Sequence, residues 1–255
     1  TLTLELLNDQ SYTILFWAQV KDAGHYELGD LREVKIKYNP LYGNDESRAA
    51  FFQRHDFSTF SQQNYDVTLY RPFAQINLGT TAESLTPSQD GQTQGYTIDV
   101  RESKMTVKGL ATSFDLLKGE GKDEAVEFTF NSTPTPAKNG QALAVNGSNY
   151  HYVAMNYLLV PVQEKTVEVS YKITTDKGVI ENTIGSVPVK ENYRTNIIGN
   201  LLTSKTEFEI VVDENFNKPD VPVVSDGWAH VSGYDYVVYG DAGVNALKAI
   251  FNQAD

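Results

Sequence analysis

Apolar and polar residues alternate along most of this chain, the period-two signature of β-strands with at least one buried face. Over Tyr12–Val20 both registers are apolar. Tyr12, Ile14, Phe16, Ala18 and Val20 mark one face, and Thr13, Leu15, Trp17 and Gln19 the other, so a strand covered on both sides is expected. Thr1–Leu6 alternates as well, and Val34–Tyr38 reads as a half-exposed strand. Asp45–Phe52 reads as a short helix, with acidic residues at the end the helix dipole favours and Ala49 and Phe52 docking on a sheet. From Asp66 strands dominate: Val67–Tyr70, Phe73–Leu78, Tyr96–Val100, Met105–Val107, Val126–Phe130 and His151–Val160. Thr166–Thr174, Val179–Ile184, Tyr193–Leu202 and Phe208–Val212 complete the set. Asp176-Lys177-Gly178 is a hairpin turn signal, its glycine open to positive φ. So many short strands with so little helix mean an all-β sandwich or barrel.

Punctuation divides the chain. Pro72 removes a ladder donor from what would otherwise be one long strand, which suits an edge or a crossing between domains. Three segments follow: an N-terminal β-sandwich domain over 1–70, a C-terminal one over 71–213, and a tail over 214–255. Ser132–Gly140 is a polar loop. In the tail, Asn215–Val223 carries Pro219 and Pro222 and has linker composition, and Trp228–Tyr239 reads as an extended aromatic segment. Ala242–Phe251 reads as a short helix with Val244, Leu247, Ile250 and Phe251 on one face. That helix either docks back on the second sandwich or opens a further domain.

Composition narrows the function classes. At 255 residues, 40% hydrophobic and 21% charged, the chain can bury a core and does not read as disordered. The net charge of −12 argues against nucleic acid, because phosphate contacts need clustered Lys and Arg. With no cysteine, disulfides, thiolate metal sites and Cys nucleophiles are excluded, and the chain leans towards an exported bacterial protein. No run approaches the roughly 20 apolar residues of a membrane span. A leader sequence is expected to precede Thr1.

Chemistry-bearing motifs are sparse. His25, His55, His151 and His230 are scattered without metal-ligand spacing, and no nucleophile elbow, phosphate-cradling loop or dinucleotide fingerprint occurs. Asp213-Glu214-Asn215-Phe216-Asn217 imitates the opening of a calcium loop, whose ligands sit at alternate positions. It fails where Lys218 replaces the glycine and Val224 the closing glutamate. Asp123/Glu124 and Glu181/Glu191 are acidic pairs of the kind glycoside hydrolysis uses, but solvated surface acids explain them equally. Asn131-Ser132-Thr133 and Asn146-Gly147-Ser148 match the N-glycosylation acceptor pattern. No residue is singled out as catalytic, cofactor-binding or metal-binding, and an enzyme is not expected.

Three segments carry a resemblance. They are Arg71-Pro72-Phe73-Ala74-Gln75-Ile76, the run Asn192–Thr203 (Asn-Tyr-Arg-Thr-Asn-Ile-Ile-Gly-Asn-Leu-Leu-Thr), and Tyr12–Gln19 around Phe16-Trp17-Ala18. On these, the chain resembles the fimbrillin-like surface proteins of Bacteroidetes, pilus subunits and adhesins, best over Tyr65–Asp213 and more loosely over Ser11–Phe52. The resemblance implies two tandem transthyretin-like Greek-key β-sandwich domains, the first with a short helix, followed by a linker and helix. It implies export as a lipoprotein, trimming after an Arg or Lys in a prosegment, and assembly by a strand that completes the neighbour's sheet. Such a strand covers apolar side chains and pairs free backbone groups together; Tyr12–Val20 and Phe73–Leu78 are the strands expected to line the groove. The aromatic segment and helix of the tail do not look like a donor strand, which favours a tip, anchor or accessory subunit, or a standalone adhesin. The implied partners are other pilus subunits, or a host or bacterial surface protein or glycan. An outer-membrane lipid anchor would lie outside this chain, and no cofactor is implied. A carbohydrate-binding surface lipoprotein of a glycan-utilisation system is the alternative; it requires several exposed Trp or Tyr side chains on one platform, and burial of both Trp17 and Trp228 would count against it. A secreted glycoside or peptide hydrolase, which requires a carboxylate pair or metal cluster in a cleft, is the third reading.

Overall fold

The computed structural model describes residues 4–30, 32–38, 43–59, 64–87, 97–132, 142–161, 164–202 and 207–213. The expected tail over 214–255 and the loop over 133–140 lie outside the described residues. The fold is all-β, as the alternation predicts. Its strands are β1 (Ser11–Gln19), β2 (Tyr26–Asp30), β3 (Glu33–Ile36), β4 (Ala50–Ser58), β5 (Ala74–Thr80), β6 (Val100–Asp115) and β7 (Glu120–Ser132). They continue with β8 (Ala142–Val145), β9 (Ser148–Leu158), β10 (Glu164–Thr175), β11 (Gly178–Lys190), β12 (Arg194–Asn200) and β13 (Glu207–Asp213). A four-residue helix, α1 (Ala82–Leu85), follows β5 and is capped by the Thr81 hydroxyl, which accepts from the Ser84 amide.

Three sheets form. β1 and β4 make an antiparallel ribbon; β13-β12-β5-β9-β8 make a five-stranded sheet; β11-β10-β6-β3-β2, with β7 also on β6, make a six-stranded one. The length of β6, 16 residues, organises the last. One of its edges takes β10 near the start (Val107 opposite Val169) and β3 near the end (Phe114 opposite Val34), while β7 runs along the other. Because β3 precedes Pro72 and β6 follows it, this ladder crosses the position of the expected domain boundary.

The two large sheets pack face to face over one core, with Ile76, Leu78, Val153 and Ile197 from one meeting Met105, Val107, Phe130, Val169 and Ile173 from the other. Burying each such side chain fully is worth about 1.5–3 kcal/mol. A second cluster joins Tyr26, Val34, Phe52, Phe73 and Phe114 to Leu143, Met155 and Ile198. β5 is buried along its whole length. On its second face lie amides rather than aliphatics, where Asn77 donates to Asn196 across the parallel β5–β12 pair at 2.8 Å.

Several local expectations change. The helix over Asp45–Phe52 is only a 3-10 turn, Glu46–Arg48, capped by the Asp45 carboxylate, and Ala50 onward is strand. Nine paired positions against β1 outweigh what a three-residue acidic helix start offers. Val67–Tyr70 is not a strand; Tyr70 alone bridges Phe52, exchanging backbone bonds of 2.7 and 2.9 Å. Leu4–Leu7 is irregular and exposed, with no sheet partner. β2, β4 and β8 are strands the alternation did not single out.

Candidate functional site

Among the described residues, polar side chains gather at several places, two of which have site-like geometry. In the first, the 3-10 turn sets Asp45 and Ser47 against His25: the Ser47 hydroxyl lies 2.7 Å and an Asp45 carboxylate oxygen 3.1 Å from His25 Nε2. Ser47 Oγ also donates to Asp45 at 2.5 Å. These are the residue types of a hydrolytic triad, but the wiring differs. A triad needs the acid on one imidazole nitrogen and the serine on the other, so that the ring can take the serine proton. Here both oxygens meet one nitrogen and the serine proton points at the carboxylate, so the cluster locks the turn. Burial alone would raise the Asp45 carboxyl, but hydrogen bonds from His25 and Ser47 outweigh it and hold it at about 2.

The second place is a cleft of about 650 Å³ between β4, Tyr70, the β6–β7 turn and the β11–β12 turn. Pockets for small ligands span roughly 300–1,000 Å³. The β6–β7 turn is tied by Asp115, whose carboxylate accepts from the Leu117 and Lys118 amides at 2.9 and 3.0 Å. Gly119 takes φ +72° there, and a Cβ in its place would stand 3.3 Å from the Phe52 ring. Arg54 bridges the walls, donating to the Leu117 carbonyl at 2.7 Å and pairing with Asp56 at 2.9 Å. Opposite, Asn192 adopts φ +63°, donates its amide to the Phe73 carbonyl at 2.9 Å and accepts from the Arg71 amide at 3.3 Å. The Gln75 amide donates to the Tyr193 carbonyl at 2.9 Å. Segments 71–76 and 192–203, singled out in the sequence, thus meet at the cleft wall before running on as neighbouring strands.

Glu191 lines this cleft, half-buried, and burial pushes its carboxyl up to about 7. Lys190 beside it sits over the Tyr193 ring, 4.4 Å from the centroid. Glu181, its partner in the acidic pair, is ten strand positions away and ion-pairs with Lys172 at 2.6 Å. At about 3.3 Å per residue the two carboxyls stand roughly 30 Å apart, several times the spacing glycoside hydrolysis uses.

The other sequence candidates do not converge. His55 stacks on Phe57 and meets the edge of Tyr65 at 4.8 Å, and His151 is exposed on β9. Among the described residues no group of three or more His, Asp or Glu side chains is arranged to hold a metal. Asn146 and Gly147, with φ of +50° and +80°, form the tight turn between β8 and β9. Asp213 ends β13, and the rest of the calcium-like run, with Trp228 and His230, lies outside the described residues. Trp17 is turned into the second core cluster, its ring edge-on to Tyr26 at 5.3 Å and tilted on Phe114 at 6.0 Å.

The model of a family of unknown function, DUF6562, matches residues 1–244. The chain belongs to DUF6562. No curated protein matches this DUF6562 chain. Among solved structures, it is similar to a candidate adhesin from Bacteroides thetaiotaomicron VPI-5482, with 12% identity and a TM-score of 0.47 over 82% of this chain and 79% of that one. It is also similar to a candidate cell adhesion protein from Bacteroides ovatus ATCC 8483, with 12% identity and a TM-score of 0.43 over 82% of this chain and 69% of that one.

Proposed function

We propose that this DUF6562 protein is a non-enzymatic cell-surface adhesin or accessory pilus subunit of the fimbrillin type, which takes a strand from a neighbouring subunit. The observation that carries the reading is the edge of the five-stranded sheet. Among the described residues β13 pairs only with β12, and it leaves Phe208 39% and Val212 43% exposed. Among the described residues β13 is an open edge on which Phe208 and Val212 are interleaved with Glu207, Glu209 and Asp213. An open edge with exposed apolar side chains is what strand addition exploits. The side-by-side pairing of two of the three segments that carry the resemblance, β5 with β12, supports the same reading. Outer-membrane anchoring through a lipid outside this chain is part of the proposal.

Full-length protein sheared from its native cell surface, viewed by negative-stain microscopy and run on SDS gels with and without boiling, tests it. Filaments and a heat-sensitive ladder are the expected outcome for a polymerising subunit, and single particles with one band for a standalone adhesin. Where a ladder forms, replacing both Phe208 and Val212 with Lys removes it while circular dichroism keeps its strand signal. A ladder that survives both charges rules out β13 as the acceptor edge.

A further inference from the structure

We propose that the cleft between the β6–β7 and β11–β12 turns binds a saccharide that carries a carboxylate. The inference gives the proposed adhesin a ligand. It rests on that reading only for its biological sense, since the binding itself is independent of assembly or location.

Charge is the first argument. The chain as a whole has 21 basic residues against 33 acidic ones. The cleft reverses that balance, with Arg54, Lys118 and Lys190 facing it against Asp56 and Glu191. Arg54 and Asp56 offset each other as an ion pair at 2.9 Å, Asp56 also accepting from Thr13 at 2.5 Å. That leaves Lys118 and Lys190 against Glu191, a carboxyl that burial keeps protonated up to about pH 7. The remaining positive character favours an anion, and the focusing effect of a cleft with low-dielectric walls strengthens it.

Shape and hydrogen bonding argue for a sugar rather than a bare ion. Tyr70, 45% exposed, borders the cleft and offers the flat apolar surface that the C–H face of a pyranose covers, while Tyr193 carries Lys190 over its ring at 4.4 Å. Gln53 and Asn192 bring side-chain amides to the same space, the functionality that pairs with ring hydroxyls. Glu191 lines the cleft on the same turn as Tyr193 and, among the described residues, has no ion-pair or hydrogen-bond partner. A carboxyl so placed donates to a ligand hydroxyl or carboxylate while protonated and repels an anionic ligand once ionised. The ionisable groups facing it are Arg54 and Asp56 from β4, Tyr70 before β5, Lys118 from the β6–β7 turn, and Lys190 and Tyr193 from its own turn. Binding therefore strengthens as pH falls through neutrality.

Calorimetric titration of the full chain with trigalacturonate, maltotriose and tartrate at pH 6 and pH 8 tests the inference. Trigalacturonate is expected to bind, maltotriose and tartrate to bind at least about tenfold more weakly, and trigalacturonate affinity to drop roughly tenfold from pH 6 to pH 8. Lys118→Ala, a change in an exposed turn, lowers affinity several-fold at both pH values, and Glu191→Gln abolishes the drop at pH 8. Equal binding of maltotriose would overturn the role of charge, and equal binding of tartrate the role of the ring. No binding of trigalacturonate, or a pH drop that survives in Glu191→Gln, would overturn the site. Filaments in the microscopy experiment without trigalacturonate binding would leave the proposed assembly standing and remove this ligand alone.

Discussion

Glu191 is the residue whose environment departs most from what its position implies. It follows β11 at a polar turn, where a solvated carboxylate is the ordinary expectation, yet burial holds it protonated to about pH 7. The linkage sign is definite. An unfolded glutamate ionises near 4.5, so between that pH and about 7 the folded chain binds the proton more tightly, and stability falls as pH rises through this window. The full shift corresponds to about 3 kcal/mol, and solvent screening of a half-exposed group reduces it to about 1–2. Glu191→Gln is accordingly expected to flatten the stability profile between pH 5 and pH 8 and to raise stability at pH 8 by that amount. Urea unfolding across the range measures it, and a parallel fall in both proteins would show that another group controls the slope. No sequence signal marked Glu191 beyond its carboxyl, because the walls that desolvate it come from four separate parts of the chain.

At the scale of elements, period two located most strands and missed their ends. Met105–Val107 is the visible centre of a 16-residue strand. The remainder of β6 hides its pattern because its partners change along its length, and with them the face that is covered. The Asp176-Lys177-Gly178 turn was legible since its chemistry is local: Thr175 Oγ1 accepts from the Lys177 amide at 3.0 Å and donates to the Gly178 carbonyl at 2.9 Å. Asn146-Gly147 is an equally local hairpin signal that also matches the glycosylation acceptor pattern. Gly121 near the start of β7 was not legible. A Cβ there would stand 2.4 Å from the Val160 carbonyl oxygen and 2.8 Å from the Ala111 Cβ. Backbone cannot yield as a side-chain tip does, so Gly121→Ala is expected to cost about 1–3 kcal/mol in chemical denaturation. An unchanged midpoint would mean that β7 stands further from Val160 than this packing has it.

For the molecule as a whole, the decisive contact is the one between the early strands and β6. Phe114, 1% exposed, meets Phe52 edge-on at 4.8 Å and Trp17 at 6.0 Å, so it pins the β1–β4 ribbon to the six-stranded sheet. Phe114→Ala is expected to cost about 3–5 kcal/mol and to shift tryptophan emission to the red. With β3 laddered on β6, the wild-type chain is expected to unfold in one transition, coincident by tryptophan emission and far-ultraviolet circular dichroism. Two separated transitions would instead favour independent domains meeting near Pro72.

What the sequence determined alone is what short-range physics writes into it. Alternation makes the strands, glycine and asparagine make the turns, and the composition makes an acidic, cysteine-free all-β chain. Tertiary structure decided the rest. It turned Asp45–Phe52 from helix towards strand, because a partner nine residues long outweighs a local dipole preference. It joined β3 to β6, packed Trp17 against the second core cluster, separated Glu181 from Glu191, and brought Arg54, Lys118 and Glu191 to one cleft. Each of these depends on which strands lie side by side, and period two repeats too uniformly along this chain to name the neighbours.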